Sequence, residues 1–231
     1  MIHDTYSFGG RHVPVHHHAN GGGLVADGAS VDASAYVAPH AAIGPGTIVG
    51  PRACIMAGVT IGSDAQIDAD CHIGRGVHVE FGAQICARVE VGNHAHVGAG
   101  SDIGQWAVIG PHATVGDGVH VAAGAVVGRR ARVLPTTRLG EHVHIGPDAA
   151  VSGEWDISPL YILGARCPLY VMCPGSIGIG FEANGVTGWR RELPAFGARE
   201  NLKAADIEEY RAALDYAEVW MERHGMTGET T

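Results

Sequence analysis

The sequence predicts an all-β fold, a parallel β-helix, and three observations carry that reading. From Val25 to Ile157 every sixth residue is aliphatic. The residue four further on is mostly small, as at Ala29, Ala35, Ala41, Ala53 and Ala65. The residue directly after the aliphatic one is often Gly, as in Ile43-Gly44, Ile73-Gly74 and Ile109-Gly110. A period of six fits neither an amphipathic helix, whose period is 3.6, nor an alternating strand, whose period is 2. It is the period of a β-helix built from hexapeptides. Each hexad then forms one flat side: the aliphatic residue points inward, the small residue turns the corner, and Gly permits the tight backbone. Three sides close a triangular coil of eighteen residues. Twenty-three hexads in phase make about seven to eight coils, a prism on the order of 37 Å tall at ~4.8 Å per strand.

The elements follow in order. Residues 1–24 are polar and rich in Gly and His, with Tyr6, Phe8, Val13 and Val15 as anchors. They are expected to cap the first coil, whose open end would expose core and unpaired strand edges. His16-His17-His18 offers imidazoles for a metal, but a cap is the reading the segment favours. The β-helix is expected over residues 25–163 and a tail over 164–231. In the tail, Leu169 to Cys173 and Ser176 to Gly180 read as a hairpin around Pro174-Gly175. Thr187 is placed as the cap of a short helix through Trp189 and Arg191. Residues 203–223 read as a longer helix with Ile207, Tyr210, Leu214, Ala217 and Met221 on one apolar stripe, packed on the prism as a cap or a clasp between subunits.

The [Ile/Val]-Gly-x-x-[Ala/Val/Thr]-x units resemble those of the left-handed β-helix hexapeptide-repeat proteins, the bacterial transferase hexapeptide family, over about sixty per cent of the chain. The resemblance implies a left-handed coil, an exception to the usual right-handed crossover. It also implies a homotrimer with clefts between subunits. Activities on this fold include acyl transfer from coenzyme A or acyl carrier protein, sugar-nucleotide modification and metal-dependent carbonic anhydration. The tail and the Gly21-Gly22-Gly23 entry resemble uncharacterised phage and prophage hexapeptide-repeat proteins. A repeat of this kind is a scaffold, so function has to be argued from the residues displayed on it.

Composition narrows the classes. A net charge of −9 argues against general nucleic-acid binding. No stretch approaches the ~18 continuous apolar residues of a membrane span, and no signal peptide precedes the repeats. The five cysteines form no CxxC pair, and an odd number at irregular spacing fits reduced thiols better than a disulfide frame. The expectation is a cytoplasmic protein, in the host cytoplasm if phage-encoded.

Residues eighteen apart should stack, which sorts the outward side chains into columns. One column runs Tyr36, Cys54, His72, Glu90, Val108, Val126, His144; it is the most apolar and is expected to meet protein. A second runs Ser30, Ile48, Gln66, Gln84, Asp102, His120, Arg138, Asp156. The third is Ala42, Thr60, His78, His96, Thr114, Arg132, Ala150, and the corner beside it carries His94, His112 and Arg130. Together these place imidazoles and guanidiniums in one strip of an otherwise acidic protein. Such a strip suits an anionic ligand, with Arg130 and Arg132 contacting phosphate and His78, His96 and Thr114 completing the site. It also suits general-base catalysis by His94 or His112, since imidazole titrates near neutral pH. A metal site of the carbonic anhydrase kind, which the resemblance makes testable, lacks its histidines five apart on one coil. A further corner stack, Arg52, Asp70, Arg88, Trp106, Gly124, His142, offers Arg88 and Trp106 to a nucleobase, or Trp106 to a neighbouring subunit that buries it.

Two functions from different classes result. The unbroken repeat, without an extruded loop, favours a non-catalytic module whose inter-subunit grooves hold a small anionic or nucleotide-like ligand or a protein partner. The alternative is a coenzyme-A-dependent acyltransferase, with acetyl-CoA as donor and His94 or His112 as base.

Overall fold

A computed structural model describes residues 4–162, 167–180 and 182–227. Two-residue rungs recur along three faces of a prism, each joined to the next by a two-residue turn. Face A runs from Leu24–Ala26 and Ala42–Ile43 through His78–Val79 to Ala150–Val151. Face B runs from Ser30–Val31 to Glu154–Trp155, and face C from Tyr36–Val37 to His144–Ile145. Rungs pair parallel with those eighteen residues away, as His78 with His96 and Val79 with Val97. The molecule is therefore a left-handed parallel β-helix.

The physical reason lies in the hexad. Inward aliphatics such as Ile55, Ile73, Ile85 and Ile109 are completely buried in one continuous core, and each Val or Ile removed from water contributes about 1.5–3 kcal/mol. Between coils the backbone closes a ladder, for example His96 N–H to the Ala113 carbonyl at 2.9 Å and Gly98 N–H to the Val115 carbonyl at 2.8 Å. Polar residues at inward positions find partners locally. The Thr47 hydroxyl donates to the Gly62 carbonyl, Ser101 to Gly98 and Thr137 to Leu134, each at 2.7 Å. No buried side-chain nitrogen or oxygen is left without a partner among the described residues.

Two expectations are corrected. The small residue does not turn the corner: Ala35, Ala41, Ala65 and Ala107 point inward and are fully buried. The corner is turned one residue earlier, where the backbone adopts left-handed φ even when the residue is His94 (58°), Trp106 (63°) or Asp148 (61°). The phase also slips once. Arg138 and Leu139 pair with Glu154 and Trp155, not with Asp156 and Ile157. Trp155 fills the last inward position, buried and with its indole N–H on the Ser152 carbonyl at 3.0 Å, while Ile157 is exposed. Gly153, at φ 88°, absorbs the shortened coil. Leu163, expected at the repeat's end, lies outside the described residues.

The N-terminal segment is an antiparallel hairpin, β1 (Asp4–Phe8) and β2 (Arg11–His17), turning at Gly9-Gly10. Its second strand pairs antiparallel with Leu24–Ala26 and so extends face A beyond its first rung. Phe8, Val13 and Val15 then lie on Ala26 and Ala42 in a small apolar cluster outside the prism core. At the other end, Tyr161–Ile162, Leu169–Cys173, Ser176–Ile179 and Glu182–Asn184 form a four-stranded antiparallel sheet, two strands more than the expected hairpin.

Two helices follow, α1 (Val186–Arg199) and α2 (Ala204–Arg223). The helix expected to be short is a full fourteen residues and is preceded by Gly185, with Thr187 inside it. Trp189 donates its indole N–H to the Ile177 carbonyl at 2.7 Å. Phe196 packs edge-on against both Trp189 and Tyr210. These residues belong to the same buried cluster as the prism interior, so sheet and helices close the C-terminal end. No helix among the described residues is long and apolar enough to cross a membrane.

Candidate functional site

The stacking arithmetic places the strip's side chains as the sequence implies. On face A, His78 is in register with His96, His96 with Thr114, and Thr114 with Arg132. On the adjoining corner the His94 and His112 rings stack at 5.2 Å between centroids, 19° from parallel. Both corner histidines are solvent-exposed and His96 is half-buried.

Local chemistry holds the pair. His94 N–H binds the Arg75 carbonyl at 2.8 Å and His112 N–H the Asn93 carbonyl at 2.9 Å. The Asn93 side-chain oxygen accepts from Arg75 N–H at 2.9 Å, tying this corner to the coil before it. Gly76 leaves the space that the His94 ring occupies: a Cβ there would lie 2.6 Å from Nδ1. The His94 imidazole is thus confined between a bare backbone and a second imidazole. Among the described residues neither ring hydrogen-bonds to protein, so their nitrogens are not engaged by the chain.

The anionic-ligand expectation is altered at Arg130. Its guanidinium is turned away from the histidines to Asp148 on the next coil, through Nε to Oδ1 and Nη2 to Oδ2, the latter at 2.8 Å. This bidentate pair, charge-assisted and of fixed geometry, holds the Asp148 carboxyl below its ordinary pKa, against a smaller opposing effect of burial. Arg132 is exposed and makes no ion pair among the described residues, so it carries the strip's available guanidinium. Asp148 was missed, though it lies eighteen positions beyond Arg130 and the same arithmetic finds it.

The second corner stack is a ladder. Arg52 binds Asp70 at 2.6 and 2.7 Å, Arg88 approaches the same carboxylate at 4.0 Å, and the Arg88 guanidinium lies over the Trp106 ring at 4.6 Å. Trp106 is 57% exposed, with one face covered by Arg88. No group of three or more metal-ligating side chains occurs among the described residues, His16–His18 included.

A family described as the GMPPB C-terminal domain matches residues 47–144. No curated protein matches the sequence. Among solved structures, LpxA from Acinetobacter baumannii is 18% identical, with 74% of this chain and 78% of that one covered and a TM-score of 0.45. A mutant of perosamine N-acetyltransferase from Caulobacter crescentus, in complex with CoA and GDP-perosamine, is 22% identical, covering 54% of each chain at a TM-score of 0.35. The acetyltransferase domain of PglB from Neisseria gonorrhoeae is 20% identical, covering 52% of this chain and 54% of that one at 0.35. The chain spans about half the length of the last two. None of the three is a phage protein, and the phage-like expectation gains no support from them. Repeat and fold together make this chain a left-handed parallel β-helix built from hexapeptides.

Proposed function

We propose that the chain is an acyltransferase that takes its acyl group from coenzyme A, with the His94–His112 corner supplying the general base. The observation that carries the reading is the stacked, exposed imidazole pair of fixed orientation, with ring nitrogens unspent on the protein. An imidazole so placed can take the proton of an acceptor hydroxyl or amine as that group attacks the thioester carbonyl. The tetrahedral adduct then expels the coenzyme A thiolate, which recovers the proton. Arg132, Thr114, His96 and His78 line the adjoining face and present donors suited to the phosphates of the donor or of a phosphorylated acceptor. The working unit is a homotrimer in which this strip faces a groove between subunits and a neighbour covers Trp106.

A second reading, a non-catalytic module for a small anionic ligand, is favoured by the uninterrupted coils. Every connection between Leu24 and Val151 is short, and none extends as a covering loop. A thermal-shift panel separates the two. Acetyl-CoA should raise the unfolding midpoint of the wild type, and less so that of His94→Ala or His112→Ala. Stabilisation by nucleotides alone, weakened by Arg132→Ala but not by the histidine variants, would transfer the assignment to the binder.

A further inference from the structure

The β1–β2 hairpin does more than extend face A. Its tip leans over the outward surface of the Thr60–Ile61 and His78–Val79 rungs and roofs a cavity of about 280 Å³. Ser7, Phe8 and Gly9 form the roof. The floor is Thr60 and His78, and one wall is the corner that carries Ser63, Glu80 and Phe81. Phe8 is held by Val13, Val15 and Ala42 and is nearly fully buried, so the roof is anchored by packing.

The lining has a definite chemistry. The hydroxyls of Ser7, Thr60 and Ser63, the His78 imidazole and the Glu80 carboxylate make no side-chain hydrogen bond or ion pair among the described residues. Five residues with uncommitted polar side chains therefore line one space. Beside them Phe81 is 60% exposed, an aromatic face on which an apolar ligand surface can lie. Glu80 is the one lining residue that carries a full negative charge. The volume falls just below the ~300–1,000 Å³ of pockets that enclose drug-sized ligands, which is room for a single ring.

We infer that this cavity binds an amino sugar with a free ammonium group. The C–H face of the pyranose lies on Phe81, its hydroxyls meet the serine, threonine and histidine groups, and the ammonium meets Glu80. The site stands apart from the His94–His112 corner and shares only His78 with the wider strip, so it does not depend on the acyl-transfer reading.

Isothermal titration of the intact chain with glucosamine, N-acetylglucosamine and glucose, without any acyl donor, tests the inference. A charge-assisted hydrogen bond exceeds a neutral one by enough to make glucosamine bind about tenfold tighter than the other two. Glu80→Gln should erase that preference, and Phe81→Ala should weaken all three sugars. Equal binding of the three by the wild type, no binding of glucosamine, or a preference that survives Glu80→Gln would each overturn it. Because no thioester is present, a negative result here leaves the histidine test untouched, and the reverse also holds.

Discussion

Gly98 and Gly100 lie two residues apart on one coil, and a methyl group added to each should destabilise the protein for a different reason. A Cβ at Gly98 would sit 2.5 Å from the Gly116 carbonyl carbon, 2.6 Å from the Asp117 nitrogen and 2.7 Å from its Oδ1. The first two are backbone atoms of the next coil, held by the ladder, and cannot rotate aside. Gly98→Ala must therefore wedge two coils apart, an overpacking whose ordinary cost is about 1–3 kcal/mol; fixed backbone on the far side puts it near 3. Residues with side chains do occupy the equivalent position elsewhere, as at Glu80 and Cys86, so the coil can adapt and the cost has a ceiling. At Gly100 the φ is 60° and nothing lies within 4 Å of the added carbon, which leaves only the left-handed penalty of about 1–2 kcal/mol. For a chain of this size each kcal/mol moves the melting midpoint by roughly 2–4 °C. Calorimetry should then show Gly98→Ala lower by about 6–12 °C and Gly100→Ala by about 2–8 °C. A Gly98→Ala midpoint at or above that of Gly100→Ala would refute the argument that coil spacing, and not backbone conformation, demands glycine after the aliphatic residue.

Acid should reveal the corner ion pair. The Asp148 carboxyl is held below its ordinary pKa, chiefly by its hydrogen bonds to Arg130. Its contribution is complete above the unfolded value of about 3.9 and is lost as pH falls through the lower folded value. Arg130→Gln should flatten the fall of the denaturation midpoint below about pH 4, and an unchanged acid limb would contradict the pairing. Trp189→Phe should cost about 1–3 kcal/mol by stripping the buried Ile177 carbonyl of its donor, read as a lowered thermal midpoint; no change would mean the bond is dispensable. Trp106→Ala should weaken self-association in sedimentation velocity while leaving the monomer folded, and an unaltered assembly would remove Trp106 from the subunit contact.

The sequence made the scaffold legible because six-residue periodicity is a long signal and a single misplaced residue hardly weakens it. Stacking at eighteen followed directly, and with it the His78–His96 and His94–His112 neighbours. The slip at Arg138–Glu154 was hidden because Trp155 and Ile157 are both apolar, so two registers satisfied the pattern equally. Corner geometry was hidden for another reason: left-handed φ is shared by Gly, His, Arg, Asp and Trp at that position, so residue type does not mark it. The hairpin did leave a trace, Gly9-Gly10 between Tyr6/Phe8 and Val13/Val15, which is a two-residue turn between alternating strands. A cavity between that hairpin and rungs more than fifty positions later leaves none, since it depends on how far the tip leans.

The roof over Glu80 and Phe81 is attached at the first rung of face A, while its floor comes from rungs further up the column. Which residues lie beneath it is thus a matter of counting turns of the spiral. Excising one eighteen-residue unit between anchor and tip would slide His96 and Gly98 under Phe8 in place of His78 and Glu80 without disturbing either end. The molecule behaves as a vernier, and its specificity could be reset by altering length alone.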